Sequence, residues 1–191
     1  MKIISEHTTN TLEIKKSKFI AHITPFSKYE KLLATLKEEH PKARHFVTAF
    51  RYLNEFGQVV EGCSDDGEPK GTSGKPTLAV LQGSELINVG VVTVRYFGGT
   101  RLGTGGLVRA YGDATNEVIA LCELSEYKKL LNLRVSCEYT NVTKLEYECS
   151  NLAIEIVEKE FNSDVVFTLN STKELFSELL EKLKRLVTVL D

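Results

Sequence analysis

The chain has no tryptophan, a single methionine and four prolines in 191 residues, and no glycine outside residues 57–112. No run reaches the roughly 18 apolar residues of a membrane span, and Met1-Lys-Ile-Ile-Ser-Glu-His7 lacks the apolar stretch of a secretory signal. No membrane association is expected, and a cytoplasmic location is. An excess of positive charge is also missing. With 24 Lys and Arg against 26 Asp and Glu, the net charge of −2 argues against a whole surface that grips nucleic acid and leaves room for a local basic groove. Cys63, Cys122, Cys137 and Cys149 form no CxxC pair and no Cys/His cluster with zinc spacing, so reduced thiols are expected and no metal. His40 and His45 flank Pro41, which keeps the two rings off one helical face. No cofactor is expected, and the oligomeric state is unknown from sequence.

What is present is concentrated. All 13 glycines fall between Gly57 and Gly112, although glycine costs backbone entropy. There they interleave with acids, arginines and aromatics in Cys63-Ser-Asp-Asp-Gly-Glu-Pro-Lys-Gly-Thr-Ser-Gly74 and Arg95-Tyr-Phe-Gly-Gly-Thr-Arg-Leu-Gly-Thr-Gly-Gly-Leu-Val-Arg109. The 42% hydrophobic and 26% charged residues are those of a soluble globular chain with one large core or two smaller ones.

Residues 9–25 read as two strands meeting at the polar turn Lys15-Lys16-Ser17-Lys18. Ser27 and Glu30 have capping-box spacing, and Tyr29, Leu32, Leu33 and Leu36 continue a helix that Pro41 stops. Residues 45–53 form a strand, the turn 55–58 follows, and Val59-Val60 begins the return strand. Residues 76–86 suit a helix, and 87–97 a β-branched strand buried on both faces. A long helix over 107–124 is expected after the second glycine segment. Beyond residue 125 glycine vanishes. A strand over 130–139, a helix from Thr143, strands over 154–161 and 165–169 around the turn Asn162-Ser-Asp164, and a last helix capped by Ser171 or Thr172 fit a split βαβ sandwich. Leu175, Phe176, Leu179, Leu180, Leu183 and Leu186 share a face of that last helix. The chain is therefore α+β with two domains, 1–126 and 127–191.

A strand that runs into glycines and then a helix presents free amides at the positive end of the helix dipole, a ready anion site. Arg95, Arg101 and Arg109 add charge beside it, and Lys70, Thr72, Lys75, Tyr96, Gly98, Gly99, Gly103, Gly105 and Gly106 complete the candidate anion-binding set. It is not an ATP loop, because Thr104 stands where a Walker lysine belongs, and as a dinucleotide fingerprint it has Val108 for the third glycine. The competing reading is that the glycines permit a tight crossing of strand, turn and helix. Asp65, Asp66 and Glu68 have the chemistry to hold magnesium or move protons. They equally suit an acidic turn that caps the helix start at Gly71-Thr-Ser-Gly74 or pairs with the arginines. Ser73 is no nucleophile elbow, because Lys75 stands where glycine is needed, and no triad is visible.

Ser17-Lys-Phe-Ile20, His40-Pro-Lys-Ala-Arg-His45, Asp65-Asp-Gly-Glu-Pro-Lys-Gly-Thr-Ser-Gly74, Arg95-Tyr-Phe-Gly-Gly99 and Gly105-Gly-Leu-Val-Arg-Ala-Tyr111 resemble the YigZ-type IMPACT family over nearly the whole chain. Ser73 departs from the alanine common in that motif. The resemblance implies an N-terminal domain like the second domain of ribosomal protein S5 and a C-terminal ferredoxin-like domain similar to the last domain of the translocation elongation factor. Eukaryotic relatives regulate translation during amino-acid starvation and carry an additional RWD domain ahead of the shared one. This chain begins directly at the shared domain, so the starvation-kinase role is not carried over.

The expected function is a non-enzymatic, translation-associated binding protein that recognises RNA, the ribosome or a translation-related protein through the glycine-rich groove. The alternative is a metal-assisted hydrolase or transferase acting on a phosphorylated small molecule. A third reading is a scaffold whose acidic and basic turns lock each other in place.

Overall fold

The computed structural model describes residues 1–190 and divides into two compact units, the first Met1–Tyr127 and the second beginning at Lys128. Asp191, the last residue of the expected second domain, lies outside the described residues.

In the first unit the elements run β1 (Lys2–Ile4), β2 (Thr8–Ile14), β3 (Ser17–Pro25), α1 (Tyr29–Glu39), β4 (His45–Leu53), β5 (Val59–Ser64), α2 (Gly74–Gly83), β6 (Val89–Tyr96), α3 (Gly103–Ala120) and β7 (Leu124–Glu126). Five strands make one antiparallel sheet in the order β2-β3-β6-β4-β5. The central strand β6 is apolar over most of its length because both of its faces are covered. Val89 and Val91 join a core with Phe19, Ala21 and Ile23 of β3, Leu81 of α2, and Leu107, Ala110, Tyr111 and Val118 of α3. Val92 and Val94 point the other way, against Tyr29 and Leu36 of α1. The hairpin turn at Lys15 and Lys16 holds both residues at positive φ, 47° and 64°, as a two-residue turn matched to strand twist requires.

In the second unit β8 (Leu131–Cys137), α4 (Val142–Asn151), β9 (Glu155–Phe161), β10 (Val165–Ser171), α5 (Lys173–Lys182) and β11 (Val187–Leu190) form an antiparallel sheet in the order β11-β8-β10-β9. That order with two helices is the ferredoxin-like topology. Val135, Phe167, Leu169, Leu145, Phe176 and Leu179 make its core.

The structure corrects several boundaries. Ser27 makes no capping bond; a 3₁₀ turn over Phe26–Lys28 leads into α1 instead. The second helix starts at Gly74 and ends at Gly83, earlier at both ends than the expected 76–86. The third starts at Gly103 rather than 107, so Gly103, Gly105 and Gly106 belong to its first turn. The last helix ends at Lys182, and Leu186 lies beyond it on the way to β11. Thr172 does cap α5, its hydroxyl accepting from the Leu175 amide at 3.5 Å. The short pair β1 and β7 is absent from the expected elements.

Candidate functional site

Arg95 lies on the helix-covered face of β6, two residues beyond Thr93 and four beyond Val91, and is only 6% exposed. A buried guanidinium needs a partner. Glu68, from the loop before α2, reaches it with Oε1 accepting from Arg95 Nη1 at 2.5 Å and from the Tyr111 hydroxyl of α3 at 2.8 Å. Burial, and then the Glu68 charge, push the Tyr111 phenol well above its ordinary range, so it stays a donor. One carboxylate thus joins strand, loop and helix.

The other two acids are also committed to protein donors. Asp65 accepts the amides of Gly71 at 2.7 Å, Ser73 at 3.1 Å and Gly74 at 2.9 Å, and the Ser73 hydroxyl at 2.7 Å. Burial works against its charge, but these four donors outweigh it and hold the carboxyl down at about 2. Asp66 accepts the Phe46 amide at 2.6 Å, and its carbonyl accepts from His45 Nδ1 at 2.9 Å. Asp65 caps and Glu68 pairs with Arg95, whereas Asp66 does neither and holds the start of β4 instead. Among the described residues no three His, Cys, Asp or Glu side chains are grouped to hold a metal ion.

The two helix starts that follow glycine segments therefore differ. At α2 the anion is supplied from within, by Asp65. At α3 no side chain caps the N-terminus and no acidic residue lies in the first turn. Gly103 and Thr104 of its first turn border an open pocket of about 350 Å³ lined also by Glu68, Pro69, Arg95, Phe97, Arg101, Leu102 and Leu107. Uncapped amides and the helix dipole there favour negative charge.

Of the residues singled out in the sequence, the pocket collects Arg95, Arg101, Gly103 and Glu68. Lys70, Lys75 and Arg109 are exposed and do not line it. Thr72 is buried, its hydroxyl donating to the Pro69 carbonyl at 2.7 Å, and the Tyr96 hydroxyl is 2.9 Å from His40 Nδ1. Gly98 serves packing: its amide donates to Ser17 Oγ at 3.0 Å, and a Cβ there would collide with the Lys16 carbonyl carbon. Gly103 has φ +73°, which turns the chain into α3. A Cβ at Gly99 or Gly105 would meet nothing within 4 Å, and at Gly106 it would come 3.0 Å from Leu102 Cβ. Pro69, Phe97, Leu102, Thr104 and Leu107 are pocket residues that the sequence reading missed. Phe97 was expected inside the buried strand 87–97, but β6 ends at Tyr96 and leaves that ring exposed.

The Impact N-terminal domain matches residues 15–119, and a domain of unknown function, DUF1949, matches residues 135–186. The chain is 41% identical to an IMPACT family member of Haemophilus influenzae, over 89% of this chain and 86% of that protein. It is 35% identical to the IMPACT family member YigZ of Escherichia coli, covering 90% and 85% of the two chains. For the Bacillus subtilis member YvyE the identity is 33%, with 94% and 85% covered. A crystal structure described as that of a hypothetical protein superposes with a TM-score of 0.67 at 31% identity, covering 99% of this chain and 95% of the other. No helix among the described residues is long and apolar enough to cross a membrane. With both domains matched and relatives aligned over most of their length, the chain belongs to the IMPACT family, in its YigZ-type two-domain form.

Proposed function

We propose that the protein is a cytoplasmic, non-enzymatic binding protein of the translation apparatus, recognising RNA, a ribosomal surface or a translation-related protein at the α3 pocket. The observation that carries this reading is the uncapped, acid-free start of α3 opening onto a pocket, while the equivalent start of α2 is closed by Asp65. Exposed Arg101 at the rim and Arg109 further along α3 supply charge for phosphates. Phosphate contacts of this kind release counterions, so affinity falls with salt. Asp65, Asp66 and Glu68 each accept from protein donors, which favours the binding reading over a metal-assisted hydrolase.

Crosslinking in cells with RNA and mass-spectrometric readout tests the proposal. An Arg101→Glu/Arg109→Glu protein is expected to lose most ribosomal or RNA crosslinks while remaining folded. Recovery of the same partners in undiminished yield overturns it. Arg95 is unsuitable for charge reversal, because a second carboxylate would be buried against Glu68.

A further inference from the structure

The pocket has a wall that a bare anion does not need. Phe97 is 54% exposed and lines it together with Pro69, Leu102 and Leu107. The Arg95 guanidinium carbon lies 5.8 Å from the Phe97 ring centroid and 5.3 Å from that of Phe19. Arg95 lines the same pocket and is nine-tenths buried, its Nη1 paired with Glu68. Glu68, itself held by the Tyr111 hydroxyl, fixes the cation, and the cation lies against a Phe97 ring that stays half exposed. A flat, half-exposed aromatic beside uncapped helix amides is what a base with a phosphate attached would use.

Resting on the function read above for this pocket, we propose that it seats a single unpaired nucleotide. The base stacks on Phe97, and the phosphate is held by the α3 amides and Arg101. A volume of about 350 Å³ suits one such unit, at the lower end of the roughly 300–1,000 Å³ of small-molecule sites. Double-stranded RNA presents no unstacked base to this wall. A protein carboxylate or inorganic phosphate would satisfy the amides and leave Phe97 and Leu102 wet. The nucleotide comes either from single-stranded RNA or from a free nucleoside monophosphate.

The chain has no tryptophan, so Phe97→Trp places a single reporter on the stacking wall. The emission of this variant is titrated with a single-stranded oligoadenylate, the same strand in a duplex, AMP and adenosine, while fluorescence anisotropy of labelled RNA measures total binding. Quenching by the single strand or by AMP is expected, at least about tenfold weaker with adenosine, absent with duplex, and weakened about tenfold by Arg101→Glu. Stronger binding of the strand than of AMP assigns the ligand to RNA, and the reverse assigns it to free nucleotide. In the otherwise natural chain, Phe97→Ala should weaken oligoadenylate binding about tenfold, which guards against an effect peculiar to the indole. Unchanged emission of the Phe97→Trp variant while RNA still binds overturns the nucleotide pocket and leaves the translation reading standing. Equal quenching by adenosine and AMP also overturns the assignment.

Discussion

Glu68 carries more of the first unit's organisation than its place in an acidic turn suggests. It neutralises the one charge on the face of β6 that packs on α2 and α3 and ties that strand to Tyr111 of α3. Removing one member of a buried pair strands the other, so Glu68→Ala is expected to destabilise by roughly 3–5 kcal/mol, measurable by urea unfolding. Tyr111→Phe, which removes one neutral donor, should cost only about 1–2 kcal/mol. A second residue-scale effect concerns His22, buried on β3 with its Nε2 unpartnered and its Nδ1 3.1 Å from His7 Nε2. Burial, then the charges of His7 and His40, lower its imidazole to about 4. An unfolded histidine titrates near 6.5, so protonation favours the unfolded chain. The stability due to neutral His22 is complete above about pH 6.5 and is lost as pH falls toward 4. His22→Phe should flatten the pH dependence of the melting temperature in that window. Asp65 acts at lower pH: its contribution is complete above about 4 and is lost as pH falls through 2. At this scale the sequence marked the acids and arginines but not their pairing, because which carboxylate meets which donor depends on loops folding across the sheet.

At the scale of elements, two strand-or-loop-to-helix junctions with similar glycine content have opposite fates. The segment ahead of α2 contains its own anion and closes; the segment ahead of α3 contains none and stays open. Glycines within the second junction are also not equivalent. Gly98→Ala would push a Cβ into the Lys16–Ser17 backbone of the hairpin and should cost about 3 kcal/mol or more. Gly105→Ala meets open space on a helix and should stabilise by about 0.5 kcal/mol. Thermal unfolding of the two variants checks the contrast, and equal destabilisation would contradict it. Elements with strong periodicity, such as β6 and α5, were legible from residue order. The start of α3 was not: glycine propensity argued for loop, while Leu107, Ala110, Tyr111 and Ala114 packing on the sheet draws the helix back to Gly103. Leu186 has the spacing of a sixth helical contact, yet Arg185 at φ 68° has already turned the chain toward β11. The three-residue strands β1 and β7 are too short to show alternation, and they come from opposite ends of the first unit's sequence.

Across the molecule, each unit closes its own core, and the chain's near-neutral charge places no general demand on its partners. The second unit's sheet carries Glu158 and Glu160 on β9, with Arg134 already paired to Glu160 at 2.8 Å, and the proposed phosphate site rests on the first unit alone. Family membership was readable from long motifs. The pocket was only half readable, since Phe97 becomes a wall when α3 begins behind it. The most direct measurement is an amide NMR titration of the whole protein with a single-stranded oligonucleotide at low salt. Shifts concentrated at residues 97–106, abolished by Arg101→Glu and weakened as salt rises, are the predicted result. Shifts confined to residues 128–190, or none at saturating oligonucleotide, would contradict it.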